Sequence, residues 1–157
     1  MNKLKIGGIL SQKGLVMLKL LGIPNQPGYA GRILTVLGEE NINLHFIAES
    51  EDIRNRGNIT ICVSDDQETK ALVLLREHSQ DWKQITLSNE EHISALTVYG
   101  PHFREKPAIC GKMCSTLGLN NINILGMSTS ISSICCLISD QDYDKAYSAL
   151  LDVFELP

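Results

Sequence analysis

Apolar positions along the chain alternate between two periods, and they do so in the same order twice. Residues 15–21, Leu15-Val16-Met17-Leu18-Lys19-Leu20-Leu21, form a nearly unbroken apolar run of the kind a buried strand needs. Ala30, Ile33, Leu34 and Leu37 follow at i, i+3, i+4 and i+7, one face of a helix. Ile42, Leu44, Phe46 and Ala48 then alternate with Asn43, His45, Ile47 and Glu49, and Ile59, Ile61 and Val63 alternate with Asn58, Thr60 and Cys62. The two runs read as half-buried strands joined in a hairpin. Asp65, with Glu68 three residues on, predicts a capped helix whose inner stripe is Ala71, Leu74 and Leu75. Residues 82–87 supply a fourth strand. The order is β-α-β-β-α-β, the split ferredoxin-like unit.

The second pass begins at Ile93-Ser94-Ala95-Leu96-Thr97-Val98-Tyr99 and places Cys110, Met113, Cys114 and Leu117 on the helix face. Individual residues confirm the repeat. Pro27, Gly31, Leu37 and Gly38 return at one constant offset as Pro107, Gly111, Leu117 and Gly118, and Asn41-Ile42-Asn43 returns as Asn121-Ile122-Asn123. Ser64-Asp65 and Lys70-Ala71 return as Ser139-Asp140 and Lys145-Ala146 at a shorter offset, because residues 51–57 lengthen a loop in the first copy. After a last helix with Tyr143, Ala146, Tyr147, Leu150 and Phe154 inward, the second copy has no length left for a fourth strand. Residues 4–10 are a surplus strand. The expectation is therefore an α+β chain of two domains with antiparallel sheets, 15–90 and 91–157, with residues 3–11 completing the second. The competing expectation is a loose arm over residues 1–12.

Composition narrows the function. The chain of 157 residues is 43% hydrophobic and 20% charged, an ordinary globular balance. Fourteen Lys and Arg against eighteen Asp and Glu give a formal charge of −4. An acidic chain without a basic cluster is a poor ligand for nucleic acid, whose phosphates supply most of the affinity. No apolar run approaches membrane-spanning length, and the N-terminal run is too short for a signal peptide, so the expectation is a soluble, cytoplasmic protein.

Catalytic chemistry is hard to assemble. His45, His78, His92 and His102 are scattered, on a strand's outer face, a helix end, a linker and a loop. Cys110 and Cys114 sit where the first copy has Ala30 and Leu34, and Cys62, Cys135 and Cys136 lie in strands. Small buried hydrophobes are the expected role, with no metal, no cofactor and no disulfide framework. The one suggestive segment is Gly22-Ile23-Pro24-Asn25-Gln26-Pro27-Gly28-Tyr29. It turns into the first helix with Pro27 suited to the first helical position. The N–H groups of Gly28, Tyr29 and Ala30 would be left outward at the positive end of the helix dipole, a ready site for a carboxylate.

These residues resemble a known family. Residues 22–30 are similar to the Gly-Val-Pro-Asp-x-Pro-Gly-x-Ala loop in the first ACT domain of bacterial aspartokinases. Residues 42–50 resemble the strand Ile-Asn-Val-Asp-Met-Ile-Val-Gln-Asn that follows it there. Ser128-Thr129-Ser130 matches the Ser-Thr-Ser of the second ACT domain, and residues 144–156 resemble its C-terminal helix. The resemblance covers nearly the whole chain and includes no kinase half.

ACT domains are non-catalytic modules that bind amino acids, usually between two ACT units. The resemblance implies a feedback-sensing regulatory protein, not an enzyme, for a small amino acid of the lysine or threonine class. It also implies a homodimer acting on a partner enzyme, while charge and hydropathy already speak against nucleic acid and membrane as partners. The implied ligand residues are Asn25, Gln26, Pro27, Gly28, Tyr29, Ala30, Ile42, Asn43, Glu49, Ser128 and Thr129. Asn25 replaces the family's Asp and Glu49 its Gln, so one negative charge is lost and another gained nearby. The second copy's loop, residues 101–108, has no Gly after its Pro, and Ile131 stands where an acidic residue usually follows. That copy is expected to be mainly a packing partner. Two further readings stay open: the regulatory subunit of a two-subunit aspartokinase, and a ligandless oligomerisation module.

Overall fold

The computed structural model describes residues 2–82, 85–101, 103 and 108–157. Its strands are β1 (Leu4–Lys5), β2 (Gly8–Pro24), β3 (Phe46–Glu51), β4 (Arg56–Ser64), β5 (Thr86–Tyr99), β6 (Gly126–Thr129), β7 (Ser133–Ser139) and β8 (Phe154–Glu155). Its helices are α1 (Tyr29–Glu39), α2 (Glu68–His78), α3 (Ile109–Leu119) and α4 (Tyr143–Val153). The chain divides into two units, Leu15–Glu91 and Met1–Gly14 with His92–Pro157. The divisions fall inside β2 and β5, so each of these long strands gives one part of itself to each unit.

In the unit of residues 15–91 the strand order is β5-β2-β4-β3. β2 and β4 pair antiparallel with Leu18 opposite Ile61 and Leu20 opposite Ile59, and β3 pairs antiparallel with β4. Because successive strand residues point to opposite faces, Val16, Leu18, Leu20, Ile59, Ile61 and Val63 share one face. Ile33 and Leu37 of α1 and Ala71 and Leu75 of α2 close a core over it.

The second unit repeats the plan in the order β2-β5-β7-β6. Leu96, Val98, Ile134 and Cys136 of the sheet pack with Met113 and Leu117 of α3 and Ala146 and Leu150 of α4. Residues 8–14 of β2 thus fill the sheet position beside β5 that the repeat itself leaves open. Ile6 adds to this core, and the Gly7 N–H donates to the Tyr99 carbonyl at 2.7 Å. A Cβ on Gly8 would stand 2.5 Å from the Tyr99 hydroxyl, so only glycine lets the ring lie across the strand there.

Several details depart from the sequence expectation. The N-terminal run is broken into β1 and the start of β2, and β1 pairs parallel with β8, Leu4 opposite Phe154. Phe154 is therefore strand, not helix, and is buried all the same. The first unit's fourth strand starts at Thr86. Trp82 lies in a turn, its N–H donating to the Ser79 carbonyl, and Lys83 and Gln84 are outside the described residues.

Asp65 does not cap α2. Residues Asp65–Gln67 form a 3-10 turn, Gln67 is the N-cap without a side-chain bond, and the Glu68 carboxylate accepts from Asn89 Nδ2 at 2.7 Å. On α3 the buried stripe is Ile109, Met113, Thr116 and Leu117, leaving Cys110 and Cys114 half-exposed. Cys135 is half-exposed as well, so burial holds only for Cys62 and Cys136.

Residues 42–45 precede β3, and the repeated Asn-Ile-Asn explains why. Asn41 adopts φ 57° after α1, its N–H bonds the Gly38 carbonyl, and the Ile42 N–H bonds the Leu37 carbonyl at 2.9 Å. Asn121 and Ile122 do the same after α3, with φ 55° and bonds to Gly118 and Leu117. This is a Schellman termination, which needs a residue tolerant of left-handed backbone followed by a hydrophobe that packs back on the helix. Ile42 and Ile122 are both 4% exposed.

Deleting residues 1–12 is expected to abolish amide-exchange protection in residues 92–155 while residues 15–91 keep theirs. The milder change Ile6→Ala should cost the second unit about 2–4 kcal/mol. Unchanged thermal stability in both variants would contradict the role given to β1 and β2.

A candidate ligand-binding loop before helix α1

The segment between β2 and α1 is shaped by one left-handed residue. Gly28 is the N-cap of α1 with φ 94° and ψ −6°, and no side chain caps the helix. Pro27 therefore lies one residue before the cap, not at the first helical position, and Tyr29, Ala30 and Gly31 occupy the first turn. Their N–H groups have no acceptor within the helix. The first intrahelical bond runs from the Arg32 N–H to the Gly28 carbonyl at 3.0 Å. A Cβ built on Gly28 meets nothing within 4 Å, so the approach to this helix start is open. The second unit has Ala108 at the matching place with φ 75°, which shows that the same backbone can carry a methyl group. Arg104–Pro107 and His102, in the loop before it, lie outside the described residues.

Tyr29 ties this loop to the neighbouring hairpin. Its hydroxyl donates to Glu49 Oε1 at 2.6 Å, and its ring meets Trp82 edge-on with centroids 6.5 Å apart. A Cβ on Gly57 would come within 2.6 Å of the Tyr29 hydroxyl, so β4 must carry glycine where the phenol crosses it. Burial, then the hydrogen bond and charge of Glu49 and the charge of Glu51, push the Tyr29 phenol up to about 12. Arg32 stands over the Trp82 ring at 5.5 Å and pairs with Asp81 at 3.3 Å. Gln26, Pro27, Gly28, Tyr29, Arg32 and Trp82 together line an open pocket of about 210 Å³.

Of the sequence-predicted ligand residues, the structure brings Gln26, Pro27, Gly28, Tyr29 and Glu49 together. Asn25 is exposed in the same loop, and Ala30 is half-buried in the first helical turn. Ile42 and Asn43 lie beyond the other end of α1, about 16 Å away along an eleven-residue helix. The Ile42 N–H is already bonded to Leu37, which leaves main-chain carbonyls and the exposed Asn43 side chain for any other contact. Ser128, half-buried, and Thr129, exposed, lie on β6 of the other unit.

Arg32 and Trp82 were not legible as pocket residues. Arg32 falls on the polar side of the helix pattern, and Trp82 sits in a run whose pattern predicts a strand.

A larger cavity of about 380 Å³ lies in the same unit, lined by Leu21, Gly22, Asp52, Arg56, Asn58 and Thr86. Its polar groups largely satisfy one another. Asp52 accepts from the Arg54 and Arg56 N–H groups and from the Arg56 side chain, and those bonds hold its carboxyl below the usual range. Asn58 Oδ1 accepts the Gly22 N–H at 3.1 Å. The smaller pocket, with a helix start that no side chain caps, is the better candidate for a carboxylate.

Two of the histidines have local partners: His45 Nε2 lies 3.0 Å from Ser64 Oγ and His78 Nδ1 2.9 Å from the Leu74 carbonyl. Among the described residues no three His, Cys, Asp or Glu side chains converge as metal ligands. No helix among them is long and apolar enough to cross a membrane.

A profile of the ACT domain matches residues 16–80, and a second ACT-domain profile matches residues 96–154. The chain belongs to the ACT-domain family and carries two such domains in tandem. Within that family it is similar to the regulatory region of aspartokinases. It is 27% identical over 153 residues to the aspartokinase of Mycolicibacterium smegmatis, covering 95% of this chain and 36% of that protein. The chain thus spans little more than a third of that curated relative.

Among solved structures, the ligand-free regulatory subunit of aspartate kinase from Thermus thermophilus superposes with TM-score 0.86 at 23% identity. That match covers 96% of this chain and 99% of the subunit. Aspartate kinase from Synechocystis superposes with TM-score 0.91 at 22% identity, over 98% of this chain and 27% of that one.

The Tyr29–Glu49 contact has a pH signature. Below about pH 10 both folded and unfolded chains keep the phenol protonated, and its contribution to stability is complete. As pH rises toward 12 the unfolded chain loses that proton first, so the contribution falls away. In an alkaline absorbance titration Tyr29→Phe should remove a late phenol step near pH 12 and flatten the stability loss in this window. A titration curve that keeps its late step in Tyr29→Phe would contradict the assignment.

Proposed function

We propose that the chain is a non-catalytic regulatory protein that binds a small amino acid at the loop before α1. The observation that carries this reading is the uncapped helix start beside left-handed, unobstructed Gly28. Aligned N–H groups at such a start favour a carboxylate. Arg32 stands in the same pocket as a second anion partner, and Glu49, exposed on β3, is placed to meet an ammonium group. The lysine or threonine class is the ligand the family resemblance implies.

Because Ile42 and Asn43 lie a helix length from Gly28 in this unit, one small ligand cannot touch both sets. A homodimer in which a second chain presents its Ile42 and Asn43 to the loop reconciles the two, in keeping with ACT units that bind ligands between them.

A second reading is favoured by one finding. The Thermus thermophilus protein that matches over nearly its whole length is named as a regulatory subunit of aspartate kinase. On that reading this chain would act in the cytoplasm on a separate catalytic chain.

Thermal shift against the twenty amino acids tests the first reading. A true effector at a hundred times its Kd should stabilise the protein by about 2.7 kcal/mol. Gly28→Ala should fold, as Ala108 does in the other unit, with a loss of about 1 kcal/mol for the left-handed backbone. It should bind the effector more weakly, because its methyl projects into the open approach. Gly28→Val, a branched residue at positive φ, should strain the helix start as well as block it. No stabilisation by any amino acid would leave the ligandless oligomerisation module as the surviving function.

A further inference from the structure

Four matched positions in the two units differ in a single chemical respect. In the unit of residues 15–91 they hold Ala30, Leu34, Ile47 and Ile61, all hydrocarbon. In the other unit the same places hold Cys110, Cys114, Met127 and Cys136. The correspondence is fixed by the strand register as well as the repeat: Ile47 pairs with Ile61 across β3 and β4, and Met127 with Cys136 across β6 and β7. The fold therefore requires only apolar side chains here, and sulfur at every position is a property of this unit alone.

The sulfurs also converge. Cys110 and Cys114 are one turn apart on α3, and Met127 Sδ lies 3.8 Å from Cys110 Sγ and 3.5 Å from Cys114 Sγ. Sulfurs bound to one metal at about 2.3 Å in a trigonal plane stand about 4 Å apart, and the two distances from Met127 Sδ lie within about half an ångström of that value. Both cysteines are half-exposed and Met127 is 42% exposed, so an ion can reach them from solvent. Cys136 lies beneath them, fully buried, its Sγ 3.9 Å from Met113 Sδ.

We infer that Cys110, Cys114 and Met127 form a binding site for a soft monovalent cation of the cuprous type. Two thiolates and a thioether are soft donors, which select such ions over magnesium, calcium or manganese. On binding, the two cysteines release their thiol protons to solvent and the metal keeps its oxidation state. The third donor is a methionine from a different element, which is why spacing along the sequence did not reveal it. The site is independent of the amino-acid loop, which lies in the other unit.

The test is an anaerobic titration of the fully reduced chain with Ag(I), and with Cu(I) held by a chromogenic chelator. One equivalent should bind, with X-ray absorption at the copper edge showing only sulfur neighbours. The double variant Cys110→Ala with Cys114→Leu, which installs the residues of the other unit, should keep its melting temperature and lose the site. Met127→Leu should bind roughly 10-fold more weakly or worse. Cys62→Ser and Cys135→Ser should bind as the parent does. Retention of the single equivalent in the double variant, equal affinity in Met127→Leu, or no stoichiometric binding by the parent would each overturn the assignment.

Discussion

A split β-α-β-β-α-β sheet needs four strands, because a missing strand leaves a row of main-chain N–H and C=O groups uncovered beside the core. Both units meet that demand by sharing chain. β5 gives residues 86–91 to the first unit and 92–99 to the second, and β2 does the reverse with 15–24 and 8–14. The Gly7-Gly8 pair, Tyr99 and the short parallel pairing of β1 with β8 all serve that arrangement. Were residues 8–14 absent, Leu96 and Val98 would sit in a strand with one uncovered side. The second unit's core would then lose its lateral boundary.

The candidate loop depends on the same economy of backbone. Each long helix after the first strand of a unit begins from a left-handed residue, Gly28 or Ala108, and ends on a left-handed asparagine, Asn41 or Asn121. The first leaves N–H groups open, and the second closes carbonyls with Ile42 or Ile122. A helix finished at one end and unfinished at the other presents its positive pole to solvent. The Tyr29 hydroxyl bond to Glu49 fixes the entrance by joining α1 to β3, and Gly57 is what permits that crossing.

Much of this was legible in the sequence, and the rest was hidden for identifiable reasons. Periodicity reported the repeat, the four helices and the β3–β4 hairpin because those depend on alternation of apolar residues, which a single chain displays directly. Resemblance of residues 22–30 and 42–50 to aspartokinase segments pointed to the family that the ACT-domain matches then showed. The errors fell where a residue's role is set by a distant neighbour. Glu68 looked like a capping residue but bonds Asn89, and Trp82 looked like strand but turns to meet Tyr29. Cys110 and Cys114 looked like core because the apolar period does not distinguish a buried stripe from one shifted by a residue. Ile42-Asn43 resembles a ligand contact of the family, and nothing in the spelling of residues 41–43 announces that Asn41 and Ile42 terminate a helix.

The order of the segments along the chain also bears on how the protein emerges during synthesis. Residues 15–91 carry all the strands and helices of one unit and can fold as soon as they leave the ribosome. The segment of residues 4–14 has its partners in residues 92–157. At a translation rate of 5–20 residues per second it must wait on the order of ten seconds for Phe154 to appear opposite Leu4. During that interval Leu4 and Lys5 are an unpaired β-edge tethered to an already folded neighbour, open to the same segment of a nascent chain on the next ribosome. A polysome, where such segments are crowded, is the setting in which exchange of this strand between copies would compete with its return to its own chain.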